Sequence, residues 1–288
     1  MTLPMIDASR EQKPSSWMGD HWDLLSKRPL YRVCFPGSHD SGTYMSTHQT
    51  KFSSERTTKT QIYDIQGQLT QGVRYYDLRP AVYGDDNEFY TAHYSDLPKI
   101  GYQGAIGAEL RAALDQVRAF VSQNRKELVI LRFSHCTNWD GSDFGNLERE
   151  RLFALVKQSL GGALICGDET DLCGVTMGTL IARGNVIAVF DLGATQQSSR
   201  EGIWAAQALE SRGGYSDTNE VPSMIWCEKK GHLGQLNQLA ATKRSSHENI
   251  SCLNYAGSLR CREHRMDQQE LYQFWTWRPR QMRHYSTT

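Results

Sequence analysis

The sequence predicts an α/β fold whose parallel strands close into a β/α barrel rather than an open sheet. Three observations lead there. Seven short β-branched or aromatic runs are spread along the 288 residues, helix-period segments lie between them, and most connections are long enough for crossovers. No repeat or low-complexity linker divides the chain, so a single domain is expected.

The elements follow in order. "LYRVCF" (30–35) reads as strand one, ended by Pro36 and Gly37. "VRYYDLR" (73–79) and "EFYTAH" (88–93) read as strands two and three. In 108–122, Leu110, Leu114, Val117 and Val121 fall on one helical face, and "ELVILRFS" (127–134) follows as strand four. Leu147, Leu152, Val156 and Leu160 make a stripe on a helix over 145–160, and "NVIAVFDL" (185–192) is strand five. The glycine-rich stretches 161–174 and 193–220 read as loops. "VPSMIWC" (221–227) and "ISCLNYA" (250–256) supply two further strands, with helices over 233–240 and 267–276.

Composition excludes several function classes. Lys plus Arg equal Asp plus Glu at 32 each, so no net field favours nucleic acid. The basic run "RPRQMR" near the C-terminus reads as a solvated tail, with contact to anionic lipid as the sharper alternative. Seven cysteines are present without CxxC or Cys/His spacing, which predicts no structural metal and reduced core thiols. No apolar run has the length of a signal peptide core or a membrane span. Cytoplasmic residence is the expectation.

In a β/α barrel, the C-terminal ends of the strands converge on one face, where active sites form. The polar endings therefore matter. Strand one runs into "FPGSHDSGT" with His39 and Asp40, and strand two ends at Asp77 and Arg79. Strand three ends at His93, strand four at Ser134 and His135, strand five at Asp191, and strand six at Glu228. Two imidazoles can serve as base and acid, and an arginine fork can hold a phosphoryl group. That set suits phosphodiester chemistry.

"FPGSHDSGTY", "QLTQGVRYYDLRP", "FYTAHY" and "KELVILRFSH" resemble successive blocks of the X domain of phosphatidylinositol-specific phospholipase C. The bacterial enzymes and the small eukaryotic X-domain-only proteins are the most similar. "SSWMGDHWDLLSKRPLYRV" resembles the entry segment of the second group, while "NVIAVFD", "CLNYAGS" and "FWTW" match more weakly. The resemblance implies a distorted, open TIM barrel over 15–288 after an N-terminal extension of 1–14. It also implies cleavage of a phospholipid head group through a cyclic inositol phosphate, with transient contact at a membrane surface by a monomer.

By that resemblance His39 is the general base, His93 the general acid, Arg79 the phosphate-stabilising cation, and Asp40 the support of the acid. Asp77, two residues before Arg79 and on the same strand face, can orient its guanidinium. Helix capping by Asp40 and a plain ion pair for Asp77 are the structural alternatives. His135, Asp191 and Glu228 are candidates for substrate contact. Calcium-dependent members of the family place Asn after the first His and an acid at the arginine position. Asp40 and Arg79 stand there instead, so neither Ca²⁺ nor another metal is expected. Bacterial members carry a later strand ending in an aspartate that orients the base, and no apolar run ending in Asp follows "FWTW". Either His39 lacks that orienter, or another carboxylate replaces it, or the sequence is cut short. Two other functions stay open: a metal-dependent glycerophosphodiester or sphingolipid phosphodiesterase, and a catalytically weak phosphoinositide-binding barrel.

Overall fold

Parallel strands appear in the cyclic order that a barrel requires. The computed structural model describes residues 13–33, 35–84, 88–191, 196–210 and 255–256, all within a compact unit that ends at Ser258. The expected strand 221–227, helices 233–240 and 267–276, and Glu228 lie outside the described residues. The strands are β1 (Pro36–Ser38), β2 (His48–Gln49), β3 (Tyr75–Leu78), β4 (Pro80–Tyr83), β5 (Glu88–Leu97), β6 (Gly101–Glu109), β7 (Val129–Phe133), β8 (Thr137–Asn138), β9 (Val186–Phe190), β10 (Ile203–Ala205) and β11 (Tyr255–Ala256).

One sheet runs β10-β9-β7-β3-β1-β11, and every pairing in it is parallel. From β1 to β10 each strand bonds to the next sheet member in the chain, and the last, β11, bonds to the first. Among the described residues the ring is open between β10 and β11. The fold is an open, distorted β/α barrel. Side chains alternate across it. On the outer face Tyr76, Leu78, Leu131 and Phe133 pack with Leu114, Val117 and Val121 of the helix Leu110–Gln123 and with Leu152 and Val156 of the helix Asn146–Leu160. On the inner face Tyr75, Ile130, Ile187 and Trp204 pack with Met18, Leu30 and Phe35. Asp77 and Arg132, two residues beyond Tyr75 and Ile130, share that inner face.

The second sheet runs β2-β6-β5-β4-β8. Here the sequence reading needs correction. The segment 88–93 is not a parallel barrel strand; β5 pairs antiparallel with β4 and with β6. Strand β6 has no counterpart in the sequence reading, which begins a helix at 108, because its Gly and Ala residues have little intrinsic β preference. Those glycines are sterically required. A Cβ on Gly104 would lie 1.9 Å from the carbonyl oxygen of His93, and one on Gly107 would lie 2.7 Å from that of Gly42.

Strand one also moves. Leu30–Arg32 is a 3-10 turn, and the Pro-Gly pair read as a terminator is itself β1. Pro36 is tolerated because it opens the strand, and its carbonyl accepts from Arg74 N–H at 2.9 Å. Strand β10, which pairs with β9, lies inside the expected loop 193–220, and a short helix, Met177–Ile181, follows the loop 161–174. Leu147, assigned to an apolar stripe, is exposed. Cys136 and Cys173 are buried free thiols as expected, whereas Cys166 is exposed.

A buried ion pair closes the N-terminal end. Arg74 lies 2.8 Å from Glu127, and both are essentially inaccessible. The guanidinium also donates to the carbonyls of Leu69, Val73 and Ser15, while Glu127 accepts from Gly19 N–H. Removing one partner strands a buried charge, so Glu127→Ala should lower unfolding free energy by about 3–5 kcal/mol. Urea denaturation of the full chain measures this, and a loss below about 1 kcal/mol would contradict it.

Candidate active site

Arg79 is the single residue between β3 and β4, and so between the two sheets. Its carbonyl accepts from Ala92 N–H at 2.8 Å, which fixes β5 and therefore His93 beside it. His39 and Asp40 follow β1 directly. Asp40 takes a left-handed backbone (φ 47°), a conformation Asp tolerates better than most residues. The loop is anchored by Ser41 N–H donating to the Asp77 carbonyl at 2.8 Å and Gln61 Nε2 donating to the His39 carbonyl at 2.7 Å.

These elements bring five of the expected residues together. Asp40 and Asp77 are buried, Arg79 nearly so, and the two imidazoles are partly accessible above them. His93 Nδ1 bonds to Asp40 Oδ2, and Arg79 Nε lies 2.5 Å from Asp40 Oδ1. His39 Nδ1 lies 2.9 Å from Asp77 Oδ2, and its Nε2 is 3.3 Å from Asp40 Oδ2. Arg79 Nε and Nη2 each stand 3.3 Å from Asp77 Oδ2. Asp40 therefore caps no helix. Asp77 does more than pair with Arg79, because it holds the Nδ1 side of His39.

The charges shift one another. Burial opposes ionisation of His39, and Arg79 repels its charge, but the Asp77 hydrogen bond and the fields of Asp40 and Asp77 outweigh both. Its pKa is raised above the ordinary 6.5. Burial also opposes ionisation of Asp77, yet Arg79, His39 and the Ser134 hydroxyl together hold its carboxyl well below the usual range. At neutral pH Asp77 is an anion.

Other candidates fall further out. His135 is exposed, with a left-handed backbone (φ 49°). Its Nδ1 lies 3.0 Å from Ser134 Oγ, which donates to Asp77 Oδ1 at 2.8 Å. It reaches the cluster only through that hydroxyl. Asp191 pairs with buried Arg132 at 3.2 Å and makes no hydrogen bond or ion pair with the histidine cluster. Ser134 was noted only as a strand ending, and Arg132 was not singled out. An arginine within the apolar run "VILRF" is the signal that could have marked Arg132.

His39, Asp40 and Asp77 offer donor atoms within 4.8 Å of one another, a spacing a metal ion could use. Arg79 already lies against both carboxylates, so a divalent cation would compete with a fixed guanidinium for the same oxygens.

No family model matches the sequence. Among curated proteins, the chain is 28% identical over 148 residues to PI-PLC X domain-containing protein 3 of Bos taurus, covering 43% of each. It is 26% identical over 157 residues to the variant-surface-glycoprotein phospholipase C of Trypanosoma cruzi, covering 45% of this chain and 39% of that one. The chain is related to the PI-PLC X-domain proteins. It spans less than half the length of these two relatives. Among solved structures, a phosphatidylinositol-specific phospholipase C of Staphylococcus aureus overlays with a TM-score of 0.47 at 22% identity, covering 64% of this chain and 54% of that chain. Among the described residues, no helix is long and apolar enough to cross a membrane.

Proposed function

We propose that the chain is a phosphoric diester hydrolase of the phosphatidylinositol phospholipase C type. One observation carries this reading: two partly accessible imidazoles each rest on a buried carboxylate, with a buried arginine against both acids. The inositol 2-hydroxyl attacks phosphorus as His39 removes its proton. The bond to the glycerol oxygen breaks as His93 donates a proton to it. Diacylglycerol and a cyclic inositol phosphate leave, and each imidazole ends with the other's starting protonation. The leaving alkoxide is a strong base, so it needs that donor in the transition state. Arg79 offsets charge on the non-bridging oxygens, Asp40 steadies His93, and Asp77 orients His39 and Arg79. His135, Asp191 and Glu228 remain proposed substrate contacts, Asp191 through its pair with Arg132.

No metal is assigned to the reaction, because Arg79 places a fixed positive charge where a cation would act. The protein incubated with phosphatidylinositol should release cyclic inositol phosphate and diacylglycerol equally well with excess EDTA. Activity abolished by EDTA and restored by Ca²⁺ or Mg²⁺ would sink this reading in favour of a metal-dependent phosphodiesterase. Absence of turnover under both conditions would favour a binding barrel. Arg79→Lys keeps the charge and loses the planar fork, with an expected fall in kcat of about 10²-fold.

A further inference from the structure

Asp77 is held from two sides, and the mechanism above uses one of them. Its Oδ2 meets His39 Nδ1 at 2.9 Å and the Arg79 guanidinium at 3.3 Å. Its Oδ1 accepts from the Ser134 hydroxyl at 2.8 Å. Ser134 is fully buried, and its N–H donates to the Leu78 carbonyl at 3.0 Å. That bond ties the end of β7 to the residue next to Asp77. A carboxylate turns about a broad, two-fold torsion, so donors on one oxygen alone hold it weakly. The serine hydroxyl removes that freedom and keeps Oδ2 for the histidine and the arginine.

Proton counting fixes the next link. A hydroxyl has one proton, and Asp77 as an anion can only accept, so Ser134 gives its proton to Asp77. His135 Nδ1 lies 3.0 Å from the same hydroxyl oxygen and must therefore donate to it. The His135 ring carries a proton on Nδ1, and its Nε2 is left for solvent or substrate. Its backbone is left-handed at φ 49°, a sparsely populated conformation that persists where the surroundings hold it. The hydrogen bonds run one way, from His135 through Ser134 to Asp77, and His39 points Nδ1 at the same acid from the other side. That arrangement leaves the His39 Nε2 lone pair to take a proton. Among the described residues, His39 and Asp40 face Asp77 from the loop after β1, and Arg79 from the end of its own strand. From β7 and the turn after it come Arg132, its partner in register, then Ser134, His135 and Cys136, a thiol that burial keeps protonated.

We propose that Ser134 is a positioning residue, oriented by His135, which locks the Asp77 carboxylate so that His39 presents Nε2 to the attacking hydroxyl. This rests on the phospholipase reading, since it says how the base of that reaction is set. Part of its test needs no substrate. Nitrogen NMR spectra of the full chain carrying isotope-labelled histidine report which ring nitrogen holds the proton and where each ring titrates. His39→Ala and His135→Ala assign the signals. Neutral His135 should hold its proton on Nδ1, and in Ser134→Ala, with the acceptor gone, it should lose that preference. Burial opposes ionisation of Asp77, and after Arg79 and His39 the Ser134 hydroxyl helps to offset it by drawing off part of the charge. Without the hydroxyl more of that charge bears on His39, so the His39 pKa should rise further above 6.5. That sign is opposite to the effect of Asp77→Asn. On phosphatidylinositol, kcat of Ser134→Ala should fall about tenfold with KM little changed, and the acid limb of kcat/KM should move to higher pH. A neutral wild-type His135 protonated on Nε2, an unmoved or lowered His39 pKa in Ser134→Ala, or an unchanged kcat overturns the proposal. Should the thermal melt show that Ser134→Ala does not fold, the wild-type His135 tautomer decides alone. The expected spectra with no cleavage of phosphatidylinositol by the wild type would refute the phospholipase reading and leave the hydrogen-bond chain standing.

Discussion

His39→Ala and His93→Ala are each expected to lower phosphodiesterase turnover by about two to four orders of magnitude, the range for a positioned acid or base. Both rings sit at the accessible edge of a buried charged layer, and the carboxylates that hold them make further bonds to Arg79. Losing either ring should leave that layer intact, so folding should be little changed. The two variants should then part company on a substrate with a better leaving group. A nitrophenolate departs without protonation, so such a substrate should restore much of the rate in His93→Ala and little in His39→Ala. Equal rescue would mean that the roles are reversed or shared, and near-wild-type turnover in either variant would remove that residue from the reaction.

Asp77→Asn should have an effect of similar size, about two to four orders of magnitude, without removing a group that touches substrate. An orienting carboxylate fixes which imidazole nitrogen carries the proton, and the isosteric amide can present the wrong partner. The variant also has a pH signature. Asp77 helps raise the His39 pKa, and the base works only when neutral, so wild-type kcat/KM should fall on the acid side with an apparent pKa above 6.5. Without the carboxylate the imidazolium is less stable, its pKa falls, and the acid limb should shift to lower pH. A variant whose acid limb stays in place would show that Asp77 does not act through His39. A limb moving upward would contradict the electrostatics outright.

Much of the site was legible because chemistry clustered where apolar runs stop. His39, Asp77 and Arg79 follow strand-like segments, and the structure puts them at the C-terminal ends of β1 and β3. His93 was found by a partly mistaken route. It was read as the end of a parallel strand and lies within an antiparallel one. Alternation of polar and apolar residues reports a strand but not its direction. The partner of His39 was hidden for another reason. Asp77 is 38 residues away in sequence, and its dual contact with His39 and Arg79 depends on the register Gly37↔Tyr75 between β1 and β3, which no local pattern encodes. The helices on the outer face were legible throughout 110–121 because that side is packed. Leu147 misled because one apolar residue in the first turn of a helix satisfies the period without being covered.

Between Arg79 and Leu110 the chain makes an excursion: it departs the parallel sheet, runs out and back through β4, β5 and β6, and re-enters as the long helix. Both of its feet are pinned, at Arg79 by the Ala92 bond and at Leu110 by burial against the outer face. Length can therefore vary at residues 98–100 without disturbing the root, where His93 stands. Loop-closure entropy grows only with the logarithm of length, so doubling such a loop costs about 0.6 kcal/mol. The far end of this appendage can change in size and in the surfaces it suits, while His93 at its base keeps its place.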